Sequence, residues 1–168
     1  NTRPIQPEEF VVPSTFNDKP VTVIGYSAFQ FASGIKNASI PDSITKIEHA
    51  AFGFCEDMTA VTIPNSVIYI GEGAFGMCTK LRSVTIPSKI KVIEKSTFGD
   101  CYNLNTVILP EGLERIESFA FLGTSVTSID IPDSVTYIAM DAFYATGIEN
   151  NKKYNKSKTA KVELSKQI

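Results

Sequence analysis

The sequence predicts a mainly β solenoid, a coil of 22–23-residue units whose strands stack into a parallel sheet. Three observations predict it. Prolines 41, 64, 87, 110 and 132 recur at intervals of 23, 23, 23 and 22 residues. Apolar residues recur in fixed register with them. The stretches "MTAVTIP" and "LRSVTIP" alternate apolar and polar like half-buried strands, and proline then removes an amide donor and ends the pairing.

The units read in order as "IPDSITKIEHAAFGFC" from Ile40, "IPNSVIYIGEGAFGMC" from Ile63, "IPSKIKVIEKSTFGDC" from Ile86, "LPEGLERIESFAFLGT" from Leu109 and "IPDSVTYIAMDAFYAT" from Ile131. An atypical unit leads from Val12. It carries five extra residues between Pro13 and Ile24, with the turn-forming pair Asn17-Asp18 near their middle. In each unit a long strand precedes the proline, "SVIYI"-like residues form a second short strand, and "GAFGMC"-like residues read as a tight helical turn.

Five columns run through the units. They are Ile24, Ile47, Ile70, Ile93, Ile116 and Ile138; Phe29, Phe52, Phe75, Phe98, Phe121 and Phe143; Val12, Ile40, Ile63, Ile86, Leu109 and Ile131; Ile35, Met58, Leu81, Leu104, Val126 and Ile148; and the small Ala28, Ala51, Ala74, Thr97, Ala120 and Ala142. A position apolar in every unit is buried as a ladder between stacked units, because one unit alone cannot cover it. In "LRSVTIP", Leu81, Val84 and Ile86 point in, and Arg82, Ser83 and Thr85 point out.

Composition narrows the function. The 168 residues carry a net charge of −2, but residues 150–168 hold six lysines against the single Glu163. The rest is acidic, with ten basic against seventeen acidic residues. Such a body repels phosphates, so no nucleic-acid partner is expected. No run of 18 apolar residues exists, so no membrane insertion is expected. The start at Asn1, with no charged-then-apolar leader, fits a processed protein or a piece of a longer one.

Several motifs invite chemistry that their repeat context removes. "GEGAFG" at 71–76 matches a dinucleotide fingerprint, yet equivalent residues elsewhere are "EHAAFG" and "EKSTFG". A phosphate cradle needs glycine at each place, followed by a longer helix. Cys55, Cys78 and Cys101 lie 23 apart in a column also filled by Ala32, Thr124 and Thr146, which suits stacked buried side chains better than a metal site or disulfides. One histidine, His49, leaves nucleophilic catalysis without a plausible base. Glu48, Glu94 and Glu117 read as a solvated row. The expectation is no enzyme, no cofactor and no metal.

"LRSVTIPSKIKVIEKSTFGDC" resembles the leucine-rich repeat of the BspA-like, treponeme-type class, in register over about residues 10–148. Departures are the early insert, the loss of Cys in the last two units, and the unmatched end. The resemblance implies a right-handed leucine-rich repeat solenoid over residues 1–148, followed by a basic tail at 149–168. It also implies a secreted or bacterial cell-surface protein that recognises or adheres to host or neighbouring-cell partners. Those partners would be protein or glycan, host extracellular matrix among them. The alternation of Ala160, Val162 and Leu164 suggests a capping strand in the tail.

Binding on a solenoid falls to outward positions that vary while the ladders stay fixed. Two faces qualify. The long-strand face is rich in threonine and serine, with Arg82 and Ile108 the departures, and its candidate ligand-binding residues are Arg82, Asn105, Ile108 and Asp130. On the short strands the outward row is Val23, Lys46, Tyr69, Val92, Arg115 and Tyr137, flanked by Ile68. Tyrosine and arginine are frequent binding anchors, so Tyr69, Val92, Arg115 and Tyr137 are candidate ligand-binding residues. The alternative is a structural spacer within a larger surface protein, for which outward faces need only be soluble.

Overall fold

The computed structural model describes residues 9–148. In chain order its strands are β1 (Glu9–Val11), β2 (Thr15–Phe16), β3 (Lys19–Pro20), β4 (Val23–Ile24), β5 (Asn37–Ser39), β6 (Lys46–Ile47), β7 (Ala60–Thr62), β8 (Tyr69–Ile70), β9 (Ser83–Thr85), β10 (Val92–Ile93), β11 (Thr106–Ile108), β12 (Arg115–Ile116) and β13 (Tyr137–Ile138). Every coil-to-coil pairing is parallel, with a register one unit apart: Ile24 faces Ile47, and Ile47 faces Ile70. This is the parallel solenoid that the proline spacing predicts. The early insert is an antiparallel hairpin, β2 with β3. Asn17 and Asp18 turn it with φ of 49° and 59°, the left-handed pair that matches strand twist.

The ladders form the core. Ile24, Ile47, Ile70, Ile93, Ile116 and Ile138 are all buried. Phe52, Phe75, Phe98 and Phe121 are fully buried, with successive ring centroids 5.3–5.7 Å apart and planes within 8°. The first rung is looser. Phe29 is half-buried and Ala28 exposed, because among the described residues no full coil stacks on their outer side. Ile63, Leu109 and Ile131 are also only partly buried against the core.

The turn segment differs from the helical turn expected of "GAFGMC". Its amides alternate between two jobs. Ala74, Gly76 and Cys78 donate to carbonyls three residues back, whereas Gly73, Phe75 and Met77 donate to Lys95, Thr97 and Gly99 of the next coil. A helix would spend every amide within the coil. The alternation needs left-handed residues, which recur four apart at 50 and 54, at 73 and 77, and at 96 and 100. The glycines of "GEGAFG" are thereby explained. Gly73 takes a φ of 61°, and a Cβ on Gly71 would sit 2.7 Å from the His49 amide nitrogen.

The cysteine column is a row of free, fully buried thiols, as its spacing predicts. Cys55, Cys78 and Cys101 donate to the carbonyls of Phe29, Phe52 and Phe75, one coil back. Burial, with Cys78 adding to it, pushes the Cys55 thiol up to about 12, so it stays protonated and able to donate. Thr124 and Thr146 satisfy the same slot by bonding the Phe carbonyl of their own coil.

The sheets are interrupted where one continuous sheet was expected. Pairing runs β1-β5-β7 and β4-β6-β8, stops, and resumes as β9-β11 and β10-β12-β13. At that level the Ser88 amide bonds the Asn65 side chain, and the Arg82 amide still donates to the Thr59 carbonyl. Strands of two or three residues form marginal ladders. The turn-side bonds and the Phe stack continue across the break.

Candidate functional site

Three outward surfaces carry side chains that the core does not use. On the short strands, the register sets Lys46 beside Tyr69 and Arg115 beside Tyr137. The Lys46 ammonium lies 5.8 Å from the Tyr69 ring and the Arg115 guanidinium 4.0 Å from the Tyr137 ring, both in cation–π geometry. Arg115 also meets Glu117 at 2.8 Å. Tyr69 and Tyr137 are exposed, Val92 is half-buried, and Ile68 is exposed beside them. The sequence row is therefore real, but each tyrosine already has a cation from the coil before it.

The glutamate row beside it is half-buried instead of solvated. Burial, then Glu117 and Glu72, push the Glu94 carboxyl up from its ordinary value. Arg115 pairs with Glu117, and Lys95 lies 3.7 Å from Glu72. Val92 stands where the next coil has Arg115, so Glu94 has no cation on its own short strand.

On the long strands, Arg82, Asn105 and Ile108 are exposed as expected. Asn105 is engaged by the Thr106 hydroxyl at 2.8 Å. Ile108 and Asp130 come together, while Arg82 and Asn105 lie apart from them. The cause is the 22-residue interval: Tyr102-Asn103 of one coil is answered by Ser125 alone in the next. The Ser125 hydroxyl bonds the Tyr102 carbonyl, and the shortened turn keeps the following segment from a full strand. Only Ile129 makes a bridge, and β11 pairs with β9 alone. A cleft of about 480 Å³ opens there, with Ile108, Leu109 and Ile131 in its lining and Glu111, Asp130 and Asp133 among them.

The third surface, on the turns, was not anticipated. Phe31 and Phe54 stack at 4.6 Å yet are 65% and 37% exposed. Tyr26 stacks on His49 at 5.0 Å nearby. A groove of about 260 Å³ with Gly53, Gly76 and Gly99 along it flanks the Phe54 side, and a hollow of about 270 Å³ with Asp57 and Lys80 lies at the Phe pair as well. Lys80 bonds Asp57 at 2.8 Å; that bond and the Gly34 amide hold the Asp57 carboxyl below its ordinary value. Phe31, Phe54 and Met77 have φ near 60°, where later coils place Asp100, Gly123 and Ala145. The signal was present in sequence as large apolar residues two past the Phe ladder, in the early units only. The tail expected to cap the solenoid lies outside the described residues.

Residues 22–149 match the model of the BspA type leucine rich repeat region, in six copies. Among solved structures, the chain is similar to a leucine rich cell surface protein from Faecalibacterium prausnitzii A2-165, at 30% identity and a TM-score of 0.62, over 82% of this chain and 45% of that one. It shares its fold with a leucine-rich repeat protein from Eubacterium ventriosum (24% identity, TM-score 0.70, 95% of this chain and 47% of that one). The pneumococcal vaccine antigen PcpA has the same fold (24% identity, TM-score 0.71, 83% of this chain and 38% of that one). The chain thus spans about half the length of the first two. Comparison with curated proteins gives no match.

Proposed function

Because the chain belongs to the BspA-type leucine-rich repeat family, we propose that it is a non-catalytic recognition and adhesion module of a bacterial surface or secreted protein. It binds protein or glycan on host or neighbouring cells, extracellular matrix included, through an outward face of the solenoid. The exposed Phe31–Phe54 stack carries this reading. The turn holds this position left-handed in every coil, whatever residue fills it, at roughly 1–2 kcal/mol for a non-glycine residue. Gly123 and Ala145 fill the same position in other coils, so the fold does not require a ring there. Aromatic side chains left exposed outside the core mark contact surfaces.

The test is a binding screen of the chain against immobilised matrix proteins and glycans at low and physiological salt. A partner retained at physiological salt, and lost on Phe31→Ala plus Phe54→Ala, supports the reading. A chain that binds nothing is a spacer. Binding that vanishes with salt is non-specific attraction to the lysine-rich end.

A further inference from the structure

We propose that the cleft beside β11 docks an extended segment of a partner protein, one that alternates apolar residues with lysine or arginine. This rests on the recognition reading and assigns a partner chemistry to a second surface. Three features select that occupant. The cleft exposes an apolar wall: Ile108 is 57% exposed, and Leu109 and Ile131 are only partly buried. Its acidic side chains, Glu111, Asp130 and Asp133, take part in none of the ion pairs among the described residues. Nor do they converge as a metal-holding group among those residues. Carboxylates spread along a cleft suit separate basic side chains along a chain better than a single cation. Finally, the coil that follows β11 forms no strand beside it, Ile129 making a single bridge, so Ile108 and Asp130 stand along an opening where an extended chain can place alternate side chains against wall and rim. A volume of about 480 Å³ is ample for a few residues of such a segment.

The probe is a synthetic peptide alternating valine and lysine, compared with its valine–glutamate counterpart, titrated into the full chain and followed by amide NMR shifts. The lysine peptide is expected to bind at least about tenfold more tightly, with shifts confined to residues 106–109 and 129–133. Asp130→Lys is expected to abolish that preference. Glu111→Gln with Asp133→Asn, nearly isosteric and exposed, repeats the test should Asp130→Lys disturb the fold. Equal binding of the two peptides, shifts elsewhere, or indifference to both variants overturns the proposal. So does binding that appears only after residues 149–168 are removed, which assigns the cleft to the chain's own lysines. Phe31→Ala leaves peptide binding intact, so a failure here is distinct from a failure of the turn-face reading.

Discussion

Two aromatic stacks run through this solenoid, one inside and one outside. Phe52, Phe75, Phe98 and Phe121 stack at 5.3–5.7 Å and are fully buried. Phe31 and Phe54, each two residues past a ladder Phe, stack at 4.6 Å and remain 65% and 37% exposed. The same period builds both, since any residue repeated once per coil meets its own kind one coil away. Only the inner stack is removed from water completely on folding. Regular spacing on a solenoid is therefore no evidence of a structural role; burial and backbone strain tell the two stacks apart.

The comparison breaks most sharply at Phe98→Ala. Emptying a fully buried rung is expected to cost about 3–5 kcal/mol, read as a large fall in the denaturant midpoint. A loss below about 1 kcal/mol would mean that the inner stack is not the core. Phe31→Gly should behave oppositely. Relief of the left-handed φ roughly offsets the lost ring contact, so stability is expected to stay within about 1 kcal/mol of the parent. A loss as large as that of Phe98→Ala would make the outer stack structural and remove the basis of the proposed function.

The smallest expected effect lies on the neighbouring face. Glu94 has a raised folded pKa, so the folded state holds its proton more tightly than the unfolded chain does. The penalty is fully present above the folded pKa and is relieved as pH falls through it toward the ordinary glutamate value. Glu94→Gln should therefore raise Tm slightly at neutral pH and flatten the pH dependence just above that ordinary value. A fall in Tm at neutral pH would mean that Glu94 is held by an attractive partner.

How much of this was legible in sequence depended on what each residue answers to. The ladder residues and the cysteine column answer to burial between identical neighbours, and a strict period reports that directly. Asn17-Asp18 answers to a local turn, which two adjacent residues can signal. The glycines of "GEGAFG" could be freed from a nucleotide role by alignment, but their duties, a left-handed turn at Gly73 and a close approach at Gly71, needed backbone coordinates. The helical reading of the turns failed because short-range spacing cannot show amides being shared with the next coil. The break between β7 and β9 has no sequence mark. The 22-residue interval was visible, yet that it opens a cleft joining Ile108 to Asp130 depends on which strand loses its pairing.

The amides that alternate between their own coil and the next give the molecule a mechanical character. Coil-to-coil bonds lie along the stack, and residues 9 and 148 belong to its opposite ends. A pull between those ends loads the interfaces in series, so the weakest yields while the others hold. Each freed coil of about 23 residues pays out roughly 75 Å of chain. Under load the protein would lengthen in discrete, nearly equal steps, like a tether with built-in slack.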